Sequence, residues 1–149
     1  MFWMSRTRLL ATSAALVALA GLAAGLLVGR GSGASERIPS GVIASGSFQS
    51  VSWTTRGRAA IVGENGRAVL RLRGFQTQKA PELWIILEGK AGTSSRHQLT
   101  NLERAWGNQD YALPASFAAR PPARVIIYCA KCGKVWGYAP MTASSSSST

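Results

Sequence analysis

The sequence predicts an all-β fold, a single antiparallel β-sandwich or barrel-like domain preceded by one N-terminal hydrophobic helix. Three observations predict it. Short runs of β-branched and aromatic residues recur between residues 44 and 141, separated by Gly, Pro, Asn and Asp. Two of these runs are joined by Asn65-Gly66, a preferred centre for a tight hairpin because both positions accept positive φ. No amphipathic period of 3.6 residues follows Val28.

The elements follow in order. Arg6 and Arg8 precede residues 9–28, a run of 20 residues without charge, and Arg30 follows it. A basic start before an apolar run is the pattern of an export signal. The run also has the length of a bilayer-crossing helix, about 20 residues. Two fates stay open: cleavage after Ala18-Leu19-Ala20 or Ser32-Gly33-Ala34, or retention as an anchor with Arg6 and Arg8 held inside. Residues 1–30 are therefore read as a signal peptide or signal-anchor helix, and residues 31–43, rich in Gly and Ser, as a flexible linker. Either fate places the remainder outside the cytoplasm, membrane-anchored or released to the periplasm or exterior of a bacterial-type cell. Residues 142–149 form a Ser-rich tail expected to be disordered.

Within the β domain of residues 44–141, the stretch from Gly46 to Trp53 alternates small polar with larger apolar residues and suggests a first strand. Ala59-Ala60-Ile61-Val62 suggests a second, ending at the Asn65-Gly66 turn. Ala68, Leu70 and Leu72 then alternate with Val69, Arg71 and Arg73, so one face is buried and the other wet. Leu83-Trp84-Ile85-Ile86-Leu87 is continuously apolar, as in a central strand covered on both faces. Residues 98–104 predict a short strand or turn, and residues 109–113 a strand closed by Pro114. Val125-Ile126-Ile127-Tyr128 predicts the last apolar strand, which runs into Cys129 and Cys132.

Composition narrows the function. There are 17 Lys and Arg against 6 Asp and Glu, a net charge of +11. Such a balance favours anionic partners. The cations are scattered, however, and no nucleic-acid-binding signature accompanies them, so nucleic acid is not an expected partner. A single histidine, His97, and few carboxylates leave little for general acid–base catalysis. A redox, electron-transfer or binding domain fits better than a classical enzyme. Zinc is a poor fit, because beyond the two cysteines only His97 offers a ligand.

The two cysteines are the clearest reactive groups. Lys131 and Lys134 flank them, and nearby cations favour a thiolate. In a regular strand, positions three apart point to opposite faces, so Cys129 and Cys132 pair only where the chain turns. Gly133 supplies a site for such a turn. A thioredoxin arrangement does not apply, since the pair does not open a helix within a βαβ unit. Three readings stay open at this level: a structural disulfide or buried thiols, thiol–disulfide redox at Cys129 and Cys132, and a haem or metal held by Cys129. The many aromatics read mainly as packing. Tyr128 and Trp136, nearest the cysteines in sequence, are the candidates for a cofactor pocket with Cys129.

A resemblance adds to this reading. Gly46-Ser47-Phe48, Leu70-Arg71-Leu72 with Phe75, Ala80-Pro81-Glu82-Leu83-Trp84, Gly107-Asn108-Gln109-Asp110-Tyr111-Ala112-Leu113-Pro114, Val125-Ile126-Ile127-Tyr128-Cys129 and Gly137-Tyr138-Ala139 stand in order. Together they resemble the DM-thirteen domain, a predicted electron-transfer family related to the DOMON domains. The resemblance implies a β-sandwich-like fold and a near-invariant cysteine at Cys129, acting as a bare thiol or as a ligand to a group such as haem. The chain departs from the pattern in two places. It has Ala80-Pro81-Glu82 where Gly-Pro-Asp is usual, and it adds Cys132, which turns a lone thiol into a pair. The expected function is an exported cell-surface or periplasmic domain for electron transfer or thiol redox sensing, with Cys129 principal and Cys132 resolving. No cofactor is required for thiol redox, and haem is the cofactor that Cys129 would hold. Its expected partners are the membrane, through the N-terminal segment, and a redox protein. The alternative is a non-catalytic extracellular interaction module with a structural disulfide and a basic surface for anionic lipid or polymer.

Overall fold

Residues 38–90 and 95–145 are described by the computed structural model of the protein. They form ten strands and one short helix: β1 Gly41–Ser47, β2 Gln49–Ser50, β3 Arg56–Glu64, β4 Arg67–Gln76, β5 Leu83–Glu88, β6 Arg96–Asn101, β7 Trp106–Leu113, α1 Ser116–Ala119, β8 Arg124–Cys129, β9 Lys134–Pro140 and β10 Thr142–Ala143. The strands make two five-stranded sheets, ordered β10-β1-β3-β4-β7 and β2-β9-β8-β5-β6, in which every pairing is antiparallel. This is the predicted all-β sandwich. The expected N-terminal helix lies outside the described residues, as does most of the linker. Among the described residues no helix is long and apolar enough to cross a membrane.

The alternation read from the sequence builds the core. Ala59 and Ile61 of β3, Leu70 and Leu72 of β4, and Tyr111 and Leu113 of β7 face inward from the first sheet. Leu83, Ile85 and Leu87 of β5, Val125, Ile127 and Cys129 of β8, and Trp136 and Ala139 of β9 meet them from the second. Each fully buried Leu or Ile contributes roughly 1.5–3 kcal/mol, so this interleaved layer is the main stabilising term. The β3–β4 hairpin turns at Asn65 and Gly66, with φ 49° and 72° and Glu64 across from Arg67. Two central residues at positive φ match the twist of the flanking strands.

The structure corrects several local expectations. The stretch from Gly46 to Trp53 is not one strand. β1 ends at Ser47 in the first sheet, Phe48 buries its ring against Phe75 at 5.1 Å, and β2 continues in the second sheet. A buried aromatic at the crossover lets one run serve both layers. β5 is covered on one face only: Leu83, Ile85 and Leu87 are buried, whereas Trp84, Ile86 and Glu88 are half-buried. The outer face of β5 carries Trp84 and Ile86, and among the described residues no third layer covers it. β1 takes Gly41, Val42 and Ile43 from the stretch read as linker, and β10 takes Thr142 and Ala143 from the stretch read as tail. These segments pair through their backbones, Ala44 with Ala143 and Ser45 with Thr142, which needs no apolar side chain and leaves no hydrophobic pattern to read. The four-residue helix α1 is also too short to show a helical period.

Candidate functional site

Cys129 and Cys132 are joined in a disulfide with their Cα atoms 5.2 Å apart. The bend that this requires is present. β8 ends at Cys129, residues 130–133 turn, and β9 begins at Lys134, which stands across from Cys129. The Gly133 amide donates to the Ala130 carbonyl at 3.3 Å, and Gly133 has φ 63°, a conformation that glycine adopts without steric cost. The disulfide therefore clasps the tip of the β8–β9 hairpin.

The two sulfurs differ in environment. Cys129 is 0% exposed and belongs to the core, whereas Cys132 is exposed at the turn. The Cys132 amide N–H donates to Cys129 Sγ at 3.1 Å. The segment before β5 backs onto the same tip. Cys129 Sγ lies 4.0 Å from the Pro81 carbonyl oxygen, the Ala130 amide donates to the Glu82 carbonyl at 3.1 Å, and Leu83 pairs with Cys129 in register. Lys131 Nζ stands 3.9 Å from Glu82 Oε1. Glu82 has φ 57°, where a residue with a Cβ costs about 1–2 kcal/mol and Asp is better tolerated. The departure from the usual Gly-Pro-Asp thus falls on a residue that touches the cysteine hairpin.

The register of β8 and β9 shifts between Ile127 and Tyr128: Ile127 faces Gly137 and Tyr128 faces Val135. Trp136 is the extra residue of this bulge, and it enters the core at 2% exposure. Its Nε1 is buried with no hydrogen-bond partner among the described residues. Its ring meets that of Trp53 at 5.7 Å, and its carbonyl accepts from the Val51 and Trp53 amides at 2.9 and 3.4 Å. Tyr128 is half-buried on the other face of the sheet, in register with Trp84. The structure thus puts Cys129, Cys132 and Trp136 at one end of the sandwich and separates Tyr128 from the core-facing pair. Sequence reasoning missed Pro81 and Glu82 as neighbours of Cys129, since nothing in a sequence 48 positions away signals that contact.

A haem does not fit these residues. Cys129 Sγ is bonded to Cys132 and enclosed by the core. His97, on the edge strand β6, pairs with Leu87, while Cys129 pairs with Leu83, about 13 Å along β5. The His97 ring packs on Phe117 at 5.3 Å instead. Among the described residues no three His, Cys, Asp or Glu side chains gather to hold a metal ion. An open cleft of about 320 Å³, lined by Lys79, Ala80, Leu83, Leu102, Glu103, Arg104, Ala105 and Trp106, contains neither cysteine.

The stretch from Asn108 to Tyr111 has a different role. Tyr111 Oη donates to Gln109 Oε1 at 2.6 Å and accepts from the Glu103 amide at 3.0 Å. Gln109 Oε1 also accepts from the Arg104 amide, and its Nε2 donates to the Arg104 carbonyl at 2.9 Å. Asn108 Oδ1 accepts from the Gly74 amide at 3.0 Å. Burial pushes the Tyr111 phenol above its ordinary pKa. Arg73 bonds Asp110 at 2.6 Å, and that hydrogen bond holds the Asp110 carboxyl below the usual carboxylate range. The family model described as Electron transfer DM13 matches residues 47–141, more than half of the chain.

The chain belongs to the DM13 family.

No curated protein and no solved structure matches it. Within this DM13 domain, the segment from Asn108 to Tyr111 ties the loop of residues 103–105 to β7, and the hairpin tip carries the disulfide.

Proposed function

We propose that this DM13 domain transfers electrons by thiol–disulfide exchange at Cys129 and Cys132, with Cys132 as the sulfur attacked and Cys129 as the leaving thiolate. The observation that carries the reading is the asymmetry of the pair, one cysteine exposed at the turn and the other enclosed in the core. Exchange needs an accessible sulfur and a leaving group whose charge is held. The Cys132 amide, 3.1 Å from Cys129 Sγ, supplies a donor to the thiolate formed. This reverses the division of labour expected from the sequence, because exposure favours Cys132 as the entry point. The disulfide also supports an oxidising compartment, and residues 9–28 support an extracytoplasmic domain delivered to or held at a membrane. Thiol labelling of the native protein across a series of thiol–disulfide buffers tests the reading. A pair that cycles while the fold persists supports it; a pair that resists reduction until the fold melts overturns it.

A second reading is an interaction module whose disulfide is structural and whose basic surface binds anionic lipid or polymer. One observation favours it. Arg58 stands directly across from Arg73 on the first sheet, and of the two only Arg73 is offset by a carboxylate, Asp110. Arg56 bonds Gln76 and Arg58 bonds Ser45, so among the described residues neither has a carboxylate. Binding to vesicles of anionic lipid, with and without Arg56→Ser and Arg58→Ser, separates it from the redox reading.

A further inference from the structure

An exposed apolar surface, Val51 and Trp53, lies near the hairpin tip that holds the disulfide. β2 runs antiparallel to β9, with Gln49 across from Tyr138 and Ser50 across from Gly137. The chain that leaves β2 therefore advances toward the hairpin tip. Val51 and Trp53 both donate their amides to the Trp136 carbonyl, and Trp136 is only two residues, about 7 Å, along β9 from Lys134, the partner of Cys129. Both side chains are exposed, Val51 at 54% and Trp53 at 46%.

Their exposure is built in. Ser50 Oγ accepts from the Thr55 amide at 2.9 Å and donates to its carbonyl at 3.2 Å, and Thr55 Oγ1 donates to the Trp53 carbonyl at 3.1 Å. Gly137 packs so closely on Thr55 that a Cβ there would lie 2.5 Å from the Thr55 Cβ. Trp53 also rests on the Trp136 ring. A large aromatic held rigidly at a surface loses little entropy on binding, and Trp is the residue most enriched at binding hot spots. Lys131 and Lys134 are exposed at the same tip.

We infer that Val51 and Trp53 dock a protein dithiol whose reactive sulfur is framed by apolar surface and rimmed by carboxylates, steering its thiolate onto Cys132. The inference rests on the redox reading above and names its partner. The partner thiolate attacks Cys132 Sγ, forming a mixed disulfide and breaking the Cys129–Cys132 bond. Cys129 leaves as a thiolate and takes up a proton. The partner's second thiolate then attacks its own bridged sulfur and releases Cys132 as a thiolate, which is protonated in turn. The partner loses two electrons and two protons, and the pair gains them.

The test compares two reductants on the full chain: reduced thioredoxin as a protein dithiol and dithiothreitol as a small one. Only the protein uses a docking surface, so the ratio of the two second-order rate constants is the readout. Trp53→Ser is expected to lower that ratio at least tenfold and Val51→Ser about threefold, with Trp53→Phe restoring most of the loss. A ratio within twofold of the parent in both serine variants overturns the inference. The same holds if those variants lose self-association or binding to anionic vesicles in place of the ratio, which assigns the patch to a second copy or to lipid. If neither reductant opens the disulfide of the folded parent, the redox reading itself fails, a result visible before any variant is made.

Discussion

Two stretches that carry the DM13 likeness differ in character. Around β7, polar groups of Gln109 and Tyr111 find partners inside the fold: Gln109 bonds Arg104 through both amide atoms, and Tyr111 bridges Gln109 and Glu103. At the β8–β9 tip, Cys132 is exposed to solvent, the Trp136 indole N–H is buried without a partner among the described residues, and Trp53 stands half out of the surface. A satisfied buried network does one thing, which is to fix a loop. Groups left open at a rigid end remain free to react and to bind. At these two places the residues that carry the likeness, Gln109, Tyr111 and Cys129, are all enclosed by the fold, whereas the open ones, Cys132 and Trp53, are not among them.

Breaking the latch has the largest expected effect. Gln109→Ala strands the Tyr111 hydroxyl and the Arg104 amide and carbonyl, and is expected to cost about 3 kcal/mol in denaturant unfolding. The reduction midpoint of the cysteine pair should stay where it was; a large change there would break the separation between the two regions. Opening the clasp has a smaller effect on stability. Its cysteines are three positions apart, so loop closure accounts for only about 2 kcal/mol, and Cys132→Ser should remain folded with a modestly lower midpoint. Tyr111→Phe, which removes the bridge from Gln109 to Glu103, should cost about 1–2 kcal/mol by the same measurement.

The smallest effect is that of pH. Burial acts to raise the Glu88 carboxyl, but hydrogen bonds from Arg96 and Arg124 outweigh it and hold it below its ordinary value. Asp110 is lowered too, chiefly by the hydrogen bond from Arg73. A depressed carboxylate stabilises the fold above its unfolded value and loses that contribution as pH falls through the folded one. Stability should therefore decline below about pH 4, by less than about 1 kcal/mol for each carboxylate, and Glu88→Gln should flatten its share. Both sites lie away from the cysteines, so the reduction behaviour of Cys132 should not follow these carboxylates.

Much of the scaffold was legible because it rests on local rules. The turn at Asn65-Gly66 and the alternation of Ala68, Leu70 and Leu72 follow from backbone sterics and one-sided burial. Gly41, Thr142 and Ala143 were not legible, because backbone pairing at a sheet edge leaves no side-chain pattern. At the site, the sequence pointed to both cysteines and to a bend between them. It was silent on which sulfur would be covered, because that depends on a register shift at Trp136 and on Pro81 and Glu82 arriving from another strand. It also grouped Tyr128 with Trp136, although strand alternation and the bulge put them on opposite faces.

The central claim is that Cys132 is the open sulfur of a pair that cycles in the folded protein. The most direct measurement is to reduce the native chain mildly, alkylate it over time, and map the modified cysteine by mass spectrometry. The account predicts that Cys132 is modified at least tenfold faster than Cys129, while the fold is retained. Equal rates, Cys129 reacting first, or no modification of either until the fold melts would contradict it.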